Sequence, residues 1–506
     1  MQLTIFLDRR IPEERLELLR YAWALIARSL RMSARITDGP TGERADRGET
    51  CIIFYGLEEE TTKGEYHLFV PYEELTWPFQ VKYLEGIPVL FGRREPLFLA
   101  YGRRLGFDAV SAVFSLISCE EERAACRTDE LGRHVIGDSL FARLKLYDRP
   151  LANTYIEVLR RKIEEVSPAR HVPEKAPFAI ALSHDVDTLS RYSVTAFRNN
   201  LVSALHSREF ASRTKLAAYA GVSLAAAAFK YVLRPRDARF LDEFCTLEST
   251  YGARSTFFLL PPRVHSASRL DEPHSYSEKV VYGKRWHEFA HAIRMVKDSG
   301  WEIGLHAGIG SFCDPLLLDR QRKALETIVG GRIWSVRHHL LQFNANDTWE
   351  AQERVRIEYD STYGFNDHVG FRSCFCHPYK PFSLTKKREI NVWEIPLVIQ
   401  DKALFRMGGS YEEMLDTCLR ALKEVQKWGG VAALLWHSDA VRVRRYPRLF
   451  DLYRSLLEWA SQQSAFIGSI ADAGDWWKAQ MPEVRITHGA GSDAMSPRRV
   501  SAGWRA

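Results

Sequence analysis

Long uncharged apolar runs are missing from this chain. No stretch reaches the ~20 apolar residues that a membrane-spanning helix needs. The nearest, 216–233, is Ala-rich, carries Lys230 and reads as a buried or interfacial helix. The opening residues, Met1 to Arg10, lack the basic start, apolar core and small-residue cleavage site of a signal peptide, and read instead as a first strand. A cytoplasmic protein with no integral membrane segment is expected. Cysteine is sparse, eight in 506 residues, and no CxxC pair occurs; Cys374 and Cys376 are the one close pair. That excludes a zinc ribbon and points to reduced thiols. Excess charge is small: 70 basic residues against 64 acidic ones leave +6, with no compact basic stripe, so nucleic acid is not an expected partner.

What is present is the composition of a soluble globular protein, 46% hydrophobic and 26% charged. Aromatics, at 12%, suit either a buried core or a surface that stacks on sugars. The length predicts two domains and a tail. Residues 1–165 read as an α/β domain, with strands at 3–7, 51–55, 66–70 and 87–91 and helices near 12–26, 107–116 and 153–165. They hold no phosphate loop and do not disclose a role. The Pro- and charge-rich run 166–177 reads as a linker. A second α/β domain is predicted over 178–482, with a helical, basic insertion at about 191–251 and strands at 178–182, 255–260, 302–305, 333–336, 393–399 and 431–436. Repeated β-then-α units imply a parallel sheet or barrel. The Gly/Ser/Arg-rich tail 483–506 is expected to be disordered.

Chemistry concentrates at the ends of the predicted strands of the second domain. In Leu182-Ser-His-Asp-Val-Asp187 an apolar strand ends in two carboxylates two residues apart. Residues i and i+2 of a strand share a face, so Asp185 and Asp187 point the same way and His184 points away. Two like charges side by side need a proton or a cation. The pair therefore reads either as a solvated turn or as one metal ligand beside one base. Three more strand ends favour the site: Glu302-Ile-Gly-Leu-His306, Ser335-Val-Arg-His-His339 and Leu434-Leu-Trp-His437. Functional groups of parallel α/β folds gather at such ends.

This ordered set, with Ser255-Thr-Phe-Phe258 between the first and second, resembles the polysaccharide deacetylase superfamily, carbohydrate esterase family 4, in a divergent bacterial branch. The run Ile467-Gly-Ser-Ile-Ala-Asp-Ala-Gly-Asp-Trp-Trp477 resembles the closing helix of such domains. The resemblance implies a distorted (β/α) barrel with a divalent metal, most simply Zn2+, in its mouth. It implies Asp185 as general base, Asp187 and His306 as metal ligands, Arg337 as the group that orients the base, and His437 as general acid. One position departs: the second histidine of the family's HxxxH is Gly310 here. His339, at the neighbouring strand end, is the first candidate for the third ligand and His338 the second.

Weaker candidates surround these. Arg372 pairs with a site carboxylate or is structural; His377 and Tyr379 are placed at the mouth; Glu394 is a buried supporting group; Asp401 falls at the family's fourth motif; Asp439 bonds His437 or caps a turn. The implied activity is removal of N-acetyl groups from a polysaccharide or oligosaccharide precursor, with proteins of polysaccharide biosynthesis as partners. The rivals are hydrolysis of small C–N substrates, and a degenerate fold that binds glycan or serves as a scaffold. The lost HxxxH favours the degenerate fold; the retention of Asp185, Asp187, His306, Arg337 and His437 together opposes it.

Overall fold

The computed structural model describes residues 2–39, 50–58, 66–124, 127–167, 177–187, 189, 236–262, 268, 271, 274–438 and 448–487. The chain forms two compact units, one holding the described residues of 1–114, 155–173 and 481–506, the other those of 115–154 and 174–480.

The first unit is built on a seven-stranded sheet. Its order is Val484–Thr487, Ser33–Asp38, Gln2–Leu7, Thr50–Gly56, Leu68–Pro71, Arg104–Leu105, Ala100–Tyr101. The pairings are parallel as far as Arg104–Leu105. A parallel pair needs a crossover, and the helix Glu13–Leu30 supplies it between the first two strands of the chain. Leu16, Leu19, Trp23, Ile26 and Leu30 recur at three- and four-residue spacing and are all buried. Arg31, in the left-handed region, ends the helix.

Two predicted boundaries differ from the structure. Residues 115–154 belong to the second unit, not to an N-terminal domain running to 165. Their own polar groups explain this. Glu122 forms a two-pronged ion pair with Arg372, the Asn153 side chain accepts from the Cys376 amide, and the Ala152 amide donates to the Cys374 carbonyl. The expected tail also begins too early at 483, because Val484–Thr487 is an edge strand paired with Ser33–Asp38. Its β-branched Val484, Ile486 and Thr487 suit a strand despite the polar composition that follows.

The second unit is a curled parallel sheet. Its strands run in the order Trp393–Glu394, Tyr359–Asp360, Ser335–His338, Glu302–Ala307, Thr256–Leu259, Ala179–Val186, Val431–Leu435, Leu397–Gln400, all neighbours parallel. Seven inter-strand spacings of ~4.8 Å would hold the edges of a flat sheet roughly 34 Å apart. The two edge strands, however, are joined by Ile395 and Pro396 alone, a span of at most about 11 Å. The sheet must therefore curl until its ends come together. Helices such as Phe289–Asp298, Pro315–Val329 and Tyr411–Trp428 run between the strands. The last has a Ser410/Glu413 capping box and a left-handed Gly429 at its end. Leu182, Phe257, Leu305, Val336, Leu434 and Trp436 lie fully in the core.

Of the predicted insertion, the helix Arg239–Thr250 is described; 190–235, with the predicted apolar helix 216–233, lies outside the described residues. Among the described residues no helix is long and apolar enough to cross a membrane.

Candidate metal and acid–base centre

The acid–base and metal-donor groups of the site stand at the carboxyl ends of strands of the curled sheet. The strand Ala179–Val186 carries Asp185 and delivers Asp187 one residue past its end. His306 is on Glu302–Ala307, Arg337 on Ser335–His338 with His339 next in chain. Asp401 follows Leu397–Gln400, and His437 lies two residues beyond Val431–Leu435.

Asp185 is buried and held on one side. Arg337 donates from Nη1 to its Oδ1 at 3.0 Å and to the Ser183 hydroxyl at 2.8 Å. The guanidinium is itself fixed by Ser361, through the carbonyl and the hydroxyl, and lies 4.5 Å over the Phe258 ring. Burial opposes a charge on Asp185. The cations ranged round it, His306 first, then Arg337 and His437, outweigh that and hold the carboxyl below its usual value.

Asp187 divides its two oxygens. Oδ1 lies 3.2 Å from His306 Nε2 and 3.9 Å from His339 Nε2; Oδ2 lies 2.7 Å from Lys402 Nζ and 3.8 Å from His437 Nε2. Burial resists its charge too, yet Lys402 and the imidazoles place the carboxyl well below the ordinary range. The side-chain donors of Asp187, His306 and His339 all lie within 4.8 Å of one another. The two imidazoles are turned toward that point by their other nitrogens. His306 Nδ1 faces the Arg337 carbonyl at 2.9 Å, and His339 Nδ1 faces Asp271 Oδ1 at 2.7 Å. A hydrogen bond at Nδ1 leaves Nε2 as the donor atom for a metal, and a carboxylate behind a histidine is a usual support of a metal ligand.

Whether the residues fit a cation can be tested on their buried polar atoms. His306 Nε2 and Asp187 Oδ1 are both buried, lie 3.2 Å apart, and neither makes a hydrogen bond to any further group. Burial alone would lower the basicity of His306, but Asp185 and Asp187 reverse this and raise it. Two carboxylates here demand positive charge, which either an imidazole proton or a divalent cation can supply. One carboxylate oxygen and two imidazole nitrogens are a donor set suited to such a cation.

His437 occupies the opposite wall. Its Nδ1 pairs with Asp401 Oδ1 at 2.6 Å, and its amide donates to Asp401 Oδ2 at 2.8 Å. Burial works against its imidazolium, but the Asp401 carboxylate outweighs burial and raises its pKa. Nε2 is left facing Asp185 Oδ2 at 4.0 Å.

Sequence reasoning named Asp185, Asp187, His306, Arg337, His339 and His437, and the structure brings all six together. His339, the first choice over His338, is the one in the donor group. His338 Nδ1 faces Ser311, and burial, then His306, presses its pKa down to about 3. Gly310 has a left-handed φ of 86° and donates its amide to Gln342, so this position caps a turn. His184 does point away, its ring set between Glu248 and the Trp436 carbonyl.

Of the two readings of Arg372 the structural one holds: it serves Glu122 rather than a site carboxylate, at 2.8 and 2.9 Å. His377 is taken up by the Trp428 carbonyl and the Trp477 ring. Glu394 is buried as expected, accepting from Trp349 Nε1. Asp439 lies outside the described residues, and the partner of His437 is Asp401. Three functional groups were missed: Asp271, Lys402 and the role of Asp401. For Asp401 and Lys402 the signal was available, since Gln400-Asp401-Lys402 is another strand end. Asp271 stands on an irregular segment and gave none.

Comparison with known proteins gives the following. Residues 11–168 match the profile of a family of unknown function, DUF7033. No curated protein sequence matches the chain. Among solved structures, a Mycobacterium smegmatis protein assigned as a polysaccharide deacetylase is 14% identical with a TM-score of 0.36, covering 65% of this chain and 96% of its own. A CE4 family pseudoenzyme from Bacillus anthracis is 10% identical with a TM-score of 0.30, covering 64% and 75%. A variant of that pseudoenzyme with restored enzymatic activity gives 10%, 0.30, 63% and 75%.

Proposed function

We propose that this chain is a metal-dependent hydrolase that removes N-acetyl groups from a polysaccharide or oligosaccharide precursor in the cytoplasm. One observation carries the reading: the buried Asp187 Oδ1 and His306 Nε2 face each other at 3.2 Å beside His339 Nε2, between a carboxylate held by arginine and a histidine held by aspartate. Asp187, His306 and His339 would hold the metal, most simply zinc, which when bound polarises the acetyl carbonyl and acidifies water.

The chain's own groups supply the proton traffic. Asp185, kept ionised, removes the proton from the attacking water at its Oδ2, while Arg337 and Ser183 fix its orientation. Water oxygen bonds to the acetyl carbon, the C–N bond breaks, and His437 Nε2 gives its proton to the departing amine nitrogen. Asp401 keeps that proton on the correct side by holding Nδ1. The products are acetate and a free amino sugar.

The test is acetate release from N-acetylated oligosaccharides by the zinc-loaded protein and by Asp185→Asn and His437→Ala. Each substitution is expected to lower kcat by about 10²–10⁴-fold, with zinc still bound. Full activity in either variant would remove the assigned acid–base pair.

A further inference from the structure

Besides Arg337 and the imidazoles, one lysine or arginine contacts the Asp185–Asp187 pair among the described residues: Lys402. Neither the order of strand-end motifs nor the acid–base scheme gives it a task. It sits on the helix Asp401–Met407, next to the residue that holds His437. Its amide donates to Asp401 Oδ1 at 2.7 Å, so the backbone that carries it is tied to the same carboxylate. Its ammonium reaches across to Asp187 Oδ2 at 2.7 Å, and a third of the side chain remains exposed.

The placement on Asp187 decides what Lys402 does. A carboxylate free to spin about its last bond presents either oxygen to a metal, and ordering it costs entropy at the moment of binding. Here Lys402 takes Oδ2, and the oxygen left over, Oδ1, is the one that points at His306 Nε2 and His339 Nε2. Each carboxylate of the pair thus has its own cation, Arg337 for Asp185 and Lys402 for Asp187. A cation competing for the metal's place would lie on Oδ1; this one lies on the other oxygen.

We propose that Lys402 is a positioning residue of the metal centre, which fixes Asp187 through Oδ2 so that Oδ1 is presented, preformed, to a divalent cation. The short helix Asp401–Met407 then orients both walls of the site from its first turn, the acid through Asp401 and the metal ligand through Lys402. This rests on the metal reading given above.

Titration calorimetry of zinc into the metal-stripped full chain tests it, with the cobalt(II) visible spectrum as a second reading of ligand geometry. Lys402→Met is expected to bind zinc about 10–100-fold more weakly, the usual cost of losing a group behind a ligand, and to shift or broaden the cobalt bands. Lys402→Arg, which keeps a cationic donor, is expected to recover most of the affinity. Equal or tighter zinc binding by Lys402→Met, with unchanged cobalt bands, would overturn the proposal while leaving the metal centre standing. If the unaltered chain binds neither metal, the metal reading and this inference fall together.

Discussion

At the scale of single residues, the centre is a set of charges each answered by a named partner, and pairs outside it follow the same logic. Arg372 and Glu122 are both buried and joined by two hydrogen bonds. Burial would raise the Glu122 carboxyl, but the Arg372 charge overcomes it and leaves the pKa below 4.5. A depressed acid contributes stability above its unfolded pKa and loses it as pH falls through the folded value. The Glu122 contribution is therefore expected to be full at neutral pH and to vanish only below pH 4.5. Arg372→Met should cost about 3–5 kcal/mol at pH 7 by stranding the carboxylate. That deficit should shrink in acid, as the stranded group takes a proton. Urea midpoints at pH 7 and pH 4.5 check this; a deficit that does not change with pH would contradict it.

The residues legible in the sequence were those a strand end exposes. Asp185, Asp187, His306, Arg337 and His437 each close an apolar run, so strand alternation and motif order sufficed to select them. His339 was chosen over His338 by position alone; the structure adds the reason, Asp271 behind its ring. Asp271 acts through a side chain that crosses between segments distant in sequence, and no local pattern encodes such a meeting; Lys402 stands at a strand end that was open to reading, but its reach to Asp187 was not. For Arg372 the structural alternative holds, with a partner 250 residues away that no local pattern names.

At the scale of elements, strand packing sets the geometry that the chemistry needs. Gly304 pairs in register with Phe258 on the neighbouring strand, and a Cβ placed there would come within 2.5 Å of the Phe258 ring. That ring is the face on which the Arg337 guanidinium rests. Gly304→Ala is expected to destabilise the second unit by about 1–3 kcal/mol through overpacking and to lower kcat by displacing Arg337 from Asp185. Wild-type kcat and an unchanged unfolding midpoint in the variant would show that the layer has more give than these distances allow.

The strand that carries Asp185 and leads into Asp187 is clamped from behind as well. His184 meets Glu248, which also accepts from Trp301 and Tyr453, all in the core. The helix Arg239–Thr250 that brings Glu248 was predicted as part of an insertion, yet its buried Phe240, Leu241 and Phe244 make it a layer of the core. Most long elements were legible: the helix Glu13–Leu30 was predicted near 12–26 from its apolar spacing. Two-residue strands such as Phe382–Ser383 were not, being too short to show a period.

At the scale of the whole molecule, two α/β units were predicted from length and alternation, and two compact units are present with different borders. The reassigned 115–154 segment is rich in short helices and turns, such as Leu140–Arg143 and Leu146–Asp148, and composition gives no cue to which unit it joins. The edge strand Val484–Thr487 was hidden by the polar residues around it.

A chain of two units need not unfold in a single transition. Zinc at a hundred times its Kd is expected to stabilise the unit that holds the site by about 2.7 kcal/mol. Calorimetry with and without the metal should show a displaced transition that Asp187→Ala abolishes. Identical traces in the unaltered chain would mean that zinc does not bind the native fold.

The metal content of the purified chain, beside that of His306→Ala and His339→Ala, bears most directly on the centre described here. About one zinc per chain is expected for the unaltered protein, with loss in both variants. If no divalent metal binds even on reconstitution, or if both variants keep it undiminished, Asp187, His306 and His339 are not a metal centre and the proposed hydrolysis has no basis.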